Sequence, residues 1–294
     1  MLPPDTKVGF IGIGAMGEPM ARTLLRNGYA VTAAVHRRRE RLERLLPDGL
    51  RESGDAAAVA AASNVVIICV PDAPQVEGVF FSAGGLLRGA APDTLFIDMS
   101  TISPVATRAI AQRVRDAGHR FIDAPVSGGP QRAKDGTLTI MVGGSAEDFA
   151  RAKPLLQALG SCTHLGPVGM GETVKLVNQV MISIIMLANA EGLTFAQRAG
   201  ADVSEVRKVI ATATGANYLL ENWLPKTWFA GRFDGGFAMD LLRKDLRAAL
   251  DAAREAEMPM PASDLAYQIF TAQSEKGDGA LDYSAVVKFY ERNG

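Results

Sequence analysis

The chain has 294 residues, 48% of them hydrophobic, and a formal net charge of −1. That length holds one large domain or two ordinary ones around a substantial core, and without a basic block it gives no electrostatic reason to expect nucleic acid or an acidic membrane surface as partner. Two cysteines, Cys69 and Cys162, are too few for a disulfide framework and suggest a reducing compartment, although two could still pair; both read as buried thiols.

The opening MLPPDTKVGFIGIG lacks the basic start of a signal peptide and runs directly into a core strand. From Lys7 to about Gly166 short β-rich runs alternate with helical patterns: KVGFIGIG, AVTAAV, NVVIICV, TLFIDMS, HRFIDAPVS, TLTIMVGG and CTHLG. Such alternation predicts a parallel, doubly wound α/β sheet with helices on both faces. Punctuation agrees: Gly28 closes the first helix, Ser103-Pro104 supplies an N-cap with proline at N1, and Ser145 with Asp148 has capping-box spacing.

Between the first strand and the first helix lies Gly12-Ile13-Gly14-Ala15-Met16-Gly17, a G-x-G-x-x-G. The first glycine makes the tight turn, the second lets a pyrophosphate approach the backbone, and the third lets helix and strand pack closely. A glycine turn can also serve packing alone, but the position of this one in an N-terminal βαβ unit favours a dinucleotide on the helix start. An NAD site usually ends the second strand with Asp or Glu for the ribose hydroxyls; this chain offers His36-Arg37-Arg38-Arg39. Guanidinium groups pair with a 2′-phosphate, so NADP(H) is expected over NAD(H), the other reading being a solvated run opening the next helix. Val70-Pro71-Asp72 and Asp98-Met99-Ser100-Thr101 end later strands at the carboxyl edge, where such sheets bind ligands. In Ser127-Gly128-Gly129 a hydroxyl and unobstructed amides could cradle a carboxylate.

Beyond Gly169 the pattern changes. ETVKLVNQVMISIIMLANAEGLTFAQRAG has helical length and is apolar nearly all round in its middle, which predicts a helix buried on all sides. Its apolar stretch, Val180 to Ala188, falls well short of the ~20 residues of a membrane span. ADVSEVRKVIATAT, FAMDLLRKDLRAALDAAREAEM and PASDLAYQIFTAQSEKG continue as helices. The expected organisation is a dinucleotide-binding domain over 1–166 and an all-α domain over 167–294, joined by a long helix at about 170–198. Lys175 and Asn178 stand three apart, hence on one helix face, with Gln179 beside them. The three histidines are scattered and no Cys/His cluster has ligand spacing, so no metal is expected.

Four separated signatures in order, GFIGIGAMGEPMA, DAPVSGGPQRAKDGTLTIMVGG, GMGETVKLVNQ and GFAMDLLRKDL, resemble the β-hydroxyacid dehydrogenase family along almost the entire chain. The resemblance implies reduction of a small β-semialdehyde or β-keto acid by NADP(H), or the reverse oxidation, in a homodimer or homotetramer. It implies Lys175 as general acid and base, because hydride transfer to a carbonyl creates an alkoxide that needs a proton and an adjacent positive charge. Ser127, Gly128 and Gly129 would hold the substrate's acid group and Asn178 would orient it; Gln179 stands where the family has a second amide. Val70 to Asp72 would line the adenosine and pyrophosphate side, Thr101 would lie near the nicotinamide ribose, Lys244 would close over the cofactor with Asp245 holding it, and Phe237 would form an apolar wall. One departure is visible: Arg132 stands where the family often has glycine, so a cationic side chain borders the expected pocket. Other readings are a 6-phosphogluconate dehydrogenase, which is longer and has histidine where Asn178 stands, an imine reductase, which typically lacks the lysine, and a cofactor-binding module without catalysis. The expected compartment is the cytoplasm, or an organelle matrix if a transit peptide has been removed.

Overall fold

From Lys7 to His164, strands and helices alternate in the computed structural model, which describes residues 6–34 and 39–292. In chain order they are β1 (Lys7–Ile11), α1 (Gly17–Arg26), β2 (Ala30–Ala34), α2 (Arg39–Glu43), β3 (Arg51–Ser53), α3 (Ala56–Ala61), β4 (Val65–Ile68), α4 (Ala73–Phe81), β5 (Leu95–Asp98) and α5 (Pro104–Asp116). There follow β6 (Arg120–Asp123), β7 (Val126–Ser127), α6 (Gly129–Asp135), β8 (Leu138–Val142), α7 (Ala146–Leu159) and β9 (Gly160–His164). Strands β1 to β6 form one parallel sheet in the order β3-β2-β1-β4-β5-β6. The order reverses between β1 and β4, the switch point at which doubly wound sheets open a crevice.

Successive strand side chains point to opposite faces, so strands apolar at every position must be covered on both. Val8, Phe10, Val31, Val65, Ile67, Leu95 and Ile97 enter one core with Leu24 of α1 and Leu155, Leu156 and Leu159 of α7. Val66, Ile68, Phe96 and Phe121 enter another with Val59 of α3, Phe80 of α4 and Ile110 and Val114 of α5. Helix starts follow the sequence signals: Ser103 Oγ accepts the Val105 N–H at 3.2 Å with Pro104 behind it, and Ser145 Oγ accepts the Asp148 N–H at 3.0 Å.

TLTIMVGG and CTHLG do not extend this sheet, as their sequence suggested. With Val126–Ser127 they form a separate three-stranded sheet, β7-β8-β9, in which β7 runs antiparallel to β8. Only Ala124 and Pro125 separate β6 from β7, too few for the crossover that a parallel neighbour needs. Asp123 and Gly143 exchange both backbone hydrogen bonds, at 3.0 and 2.8 Å, and so fasten the small sheet to the end of β6. Cys69 and Cys162 are half-buried free thiols, less enclosed than expected.

The chain divides into two compact units, Met1–Lys175 and Leu176–Gly294. Helix α8 (Met170–Arg198) runs from the first into the second, and α9 (Val203–Ile210), α10 (Met239–Glu255), α11 (Pro261–Gln273) and α12 (Val287–Arg292) follow. No strand occurs among the described residues of the second unit. Met186 and Leu193 of α8, Leu242 and Leu246 of α10, Phe270 of α11 and Tyr283 share its core.

Helix α8 is not buried on all sides: Val177, Met181 and Phe195 are 53%, 56% and 73% exposed. Apolar residues all round a helix show that no face is strongly polar, not that each is covered by the same chain. By length and composition alone α8, taken as a whole, is long and apolar enough to cross a membrane, a test that a buried core helix also passes. Four of its polar residues, Glu172, Gln179, Ser183 and Asn189, are buried within the protein.

Candidate functional site

At the turn from β1 to α1 the three glycines have different duties. Gly12 has φ 102°, and a β-carbon there would lie 2.1 Å from Cys69 O; one at Gly17 would lie 1.9 Å from Gly12 O. A β-carbon at Gly14 would meet nothing within 4 Å. Helix α1 has no side-chain cap, and among the described residues the Ala15 and Met16 N–H groups donate to nothing. Orphan amides at the positive end of a helix, facing open space, fit a pyrophosphate. Gly14→Val is therefore expected to keep stability within about 0.5 kcal/mol of wild type and to lose nucleotide binding by titration calorimetry. Undiminished binding would remove this loop from the site.

Strands β1, β4 and β5 are adjacent and parallel, so the turns after them stand side by side at the carboxyl edge. Asp98 Oδ1 accepts the Ser100 N–H at 3.0 Å, and Ser100 Oγ accepts the Val70 N–H at 3.0 Å. Ser100, given no role from the sequence, thus locks the turn carrying Thr101 to the one carrying Val70, Pro71 and Asp72. Asp72 itself caps α4, its Oδ1 accepting the Ala73 N–H at 2.8 Å.

Asp123 at the end of β6 is fully buried. Its Oδ1 accepts the Gly169 N–H at 2.7 Å and its Oδ2 the Glu172 N–H at 2.9 Å. These are donors that the start of α8 cannot satisfy within the helix, and a carboxylate there also opposes the positive end of the helix dipole. A β-carbon at Gly171 would fall 2.8 Å from Asp123 Oδ2, so glycine permits this approach. Burial pushes the Asp123 carboxyl up to about 6, against the opposite pull of the backbone amides of Gly169, Glu172 and Gly171. Lys175, on the second turn of the same helix, is only 7% exposed; lysine is rarely buried so far unless it is paired or has a task. Nothing in the sequence pattern marked Asp123 beyond its place at the head of DAPVSGG. Four residues after it, the half-buried Ser127 ends β7, and Gly128-Gly129 lead into α6.

In the second unit Asn178, Gln179, Lys244 and Asp245 form one chain of contacts. Asn178 Nδ2 donates to Gln179 Oε1 at 2.9 Å, Gln179 Nε2 donates to Asp245 Oδ2 at 2.7 Å, and Lys244 Nζ pairs with Asp245 Oδ1 at 2.8 Å. Gln179 is 1% exposed, with its amide engaged on both sides. Phe237 takes no part in these contacts: its ring meets Tyr283 edge-on, 6.0 Å between centroids, and its N–H donates to Asp282 Oδ2 at 2.9 Å. Asp282 also accepts from Trp223 Nε1 and from Ser284, so it anchors the loop that leads into α10.

His36, Arg37 and Arg38 lie outside the described residues. The next residue, Arg39, is held by Glu43 and Glu52. Arg41, which the sequence reading passed over, reaches Glu18 Oε2 at 3.1 Å and Gly14 O at 3.4 Å, placing a cation against the glycine loop.

Residues 7–166 match a family described as the NAD binding domain of 6-phosphogluconate dehydrogenase, and residues 169–290 one described as the NAD-binding of NADP-dependent 3-hydroxyisobutyrate dehydrogenase. The 2-(hydroxymethyl)glutarate dehydrogenase of Eubacterium barkeri is 38% identical across 97% of this chain and 95% of that protein. The 2-hydroxy-3-oxopropionate reductase of Escherichia coli is 37% identical, covering 97% of each. Among solved structures, 3-hydroxyisobutyrate dehydrogenase of Mycobacterium tuberculosis with L-serine superposes with a TM-score of 0.88 at 30% identity, over 96% of this chain and 98% of that one. An imine reductase from Pseudomonas, at 24% identity and a TM-score of 0.62, shares the fold. Two family matches that run in sequence from residue 7 to residue 290, and relatives alike from end to end, agree with the glycine loop and the 3-2-1-4-5-6 strand order: the chain belongs to the β-hydroxyacid dehydrogenases, nicotinamide-dependent oxidoreductases.

Proposed function

We propose that this chain reduces a small β-semialdehyde or β-keto acid, or oxidises the corresponding 3-hydroxy acid, with NADP(H) preferred and Lys175 as general acid and base. The observation that carries the reading is a buried lysine on a helix whose first turn Asp123 ties to the carboxyl edge of the sheet. The names of the relatives point the same way: 2-(hydroxymethyl)glutarate, 2-hydroxy-3-oxopropionate and 3-hydroxyisobutyrate all carry an oxygen on the carbon β to a carboxylate.

The bound nicotinamide supplies or accepts the hydride. In reduction the Lys175 ammonium delivers a proton to the carbonyl oxygen as it gains charge, and its positive field stabilises what has not yet been protonated. In oxidation the neutral amine takes the hydroxyl proton. Ser127, Gly128 and Gly129 hold the acid group and Asn178 orients the substrate. Gln179 serves through Asp245, which fixes Lys244 for the cofactor, rather than by touching substrate, and Phe237 is an apolar wall.

Assay of methylmalonate, tartronate and succinate semialdehydes with NADPH and NADH tests the reading. Turnover of a β-semialdehyde is expected, faster with NADPH; no turnover with any of them would favour a binding module without catalysis. The cofactor preference rests on Arg37 and Arg38, since a lost charge-assisted bond to a 2′-phosphate weakens binding roughly tenfold or more. Arg37→Ala is expected to raise KM for NADPH by that factor and leave KM for NADH alone; an unchanged NADPH KM would remove Arg37 from the site.

A further inference from the structure

Glu172 has no part in the chemistry above, yet it is fully buried. It stands in the first turn of α8, three residues before Lys175, so the two side chains leave neighbouring positions on one helix face, about 5–6 Å apart at their β-carbons. Lys175 is buried as well. A buried carboxylate and a buried ammonium each carry a large desolvation cost, which is offset when they lie against one another.

The other charges that meet this turn are engaged differently. Asp123, from β6, accepts the Gly169 and Glu172 N–H groups at 2.7 and 2.9 Å, one with each oxygen. Arg108, from α5, comes to Gly169, where a β-carbon would lie 3.0 Å from its Nη1, but it is exposed and water screens its charge. From β8 the uncharged Met141 turns its carbonyl to Gly171. The positive end of the helix dipole also favours an acid in the first turn, though by less than burying an ion costs. Lys175 is therefore the buried cation that the helix itself sets beside Glu172.

We propose that Glu172 is the counter-ion of Lys175, a positioning residue that holds the ammonium in place and keeps it protonated to higher pH than it would be without the carboxylate. The proposal rests on the reading of Lys175 as general acid and base. In reduction the N–H bond of Lys175 breaks as the O–H bond of the alcohol forms, leaving a neutral amine beside the carboxylate; in oxidation the amine takes the hydroxyl proton and the ion pair returns. Glu172 stays ionised throughout and acts only through the lysine.

Glu172→Gln tests this through the pH dependence of kcat/KM, with methylmalonate and tartronate semialdehydes reduced by NADPH and 3-hydroxyisobutyrate and glycerate oxidised by NADP+. Reduction needs the ammonium and should fall as pH rises through its ionisation; oxidation needs the amine and should rise over the same range. Without a negative neighbour the ammonium loses its proton more readily, so both limbs are expected lower by about one pH unit or more in the variant. They must move together, because the equilibrium fixes the ratio of the two directions at each pH. Reduction is the cleaner readout, since Asp123, titrating at about 6, shapes only its acid side. Glu172→Asp, which keeps the charge, should hold its limbs closer to those of the wild type. A packing defect, or a Glu172 that is protonated and neutral, would leave the limbs in place whatever the rates, and that result overturns the pairing while Lys175 keeps its role. A second measurement needs no substrate: in a double-mutant cycle of unfolding with Lys175→Met, the double variant should be more stable than the two single losses predict. If Glu172→Gln alone does not fold, the double variant is still expected to, since it strands no ammonium. Additive losses, or a double variant that fails to fold where Lys175→Met folds, overturn the pairing. Wild-type-like turnover by Lys175→Met overturns the reading of the lysine and this proposal together.

Discussion

Lys175→Met is expected to lower kcat by about 10³-fold or more while NADPH affinity stays close to wild type. Methionine preserves the length and the apolar stem of a side chain that is 7% exposed, so the helix should keep its packing and lose only the ammonium. General acid catalysis and stabilisation of a developing oxyanion are each worth orders of magnitude, and in the function proposed above one group supplies both. The effect should fall on kcat rather than KM, because the interaction strengthens as charge appears on the oxygen. Single-turnover absorbance at the nicotinamide band separates the chemical step from product release. Near wild-type turnover in this variant would sink the assignment of Lys175.

The second large effect is expected at Asp123. Asp123→Ala leaves the Gly169 and Glu172 amides without their acceptor, and buried donors without partners cost about 1–3 kcal/mol each, so a loss of roughly 2–4 kcal/mol in denaturant unfolding is expected. Asp123→Asn keeps the shape and one acceptor, removes the ionisation, and sets its NH2 against one of the two backbone donors, a constant cost that does not vary with pH. The folded carboxyl titrates near 6 against 3.8 for the free group, so between these values the folded state binds the extra proton. Stability from this group is then greatest at low pH and declines as pH rises to about 6, by on the order of 3 kcal/mol. Asparagine cannot ionise, so the stability of wild type relative to Asp123→Asn should fall across that interval and level off above it. A difference independent of pH would show that Asp123 does not titrate there. In kcat the sign is opposite, since only the ionised form can accept at both oxygens without holding a proton; the acid limb of the wild-type profile should therefore carry an ionisation near 6 that Asp123→Asn lacks.

The sequence made much of this architecture legible, and particular residues show where it stopped. The glycine loop and the long helix were readable because each is a local pattern: three glycines in a strand-to-helix turn, and an apolar run with no strand punctuation. Strand β3, Arg-Glu-Ser, was not, since three half-exposed or exposed polar residues at a sheet edge carry no hydrophobic period. Nor did the β-rich runs say which sheet they join; TLTIMVGG has the same composition whether it pairs with β6 or turns back on Val126–Ser127. In the candidate site, residue types were readable and partners were not. Gln179 was picked out because it stands where the family has a second amide, and no local pattern showed that its amide donates to Asp245, 66 residues away. Asp123 was invisible for a similar reason: its acceptor role depends on amides 46 and 49 positions further on.

The string Asp-Ala-Pro-Val-Ser-Gly-Gly, read as a single word in the sequence, is two devices spelled without a space. Its first letter reaches inward to hold the start of a helix, while its last three lie further along the same run of chain, at the end of β7 and the start of α6. They obey different constraints. The aspartate answers to the geometry of the protein's own backbone, whose amides it holds, whereas the serine and the glycines make no such bond and, on the reading proposed above, answer to the acid group of the substrate.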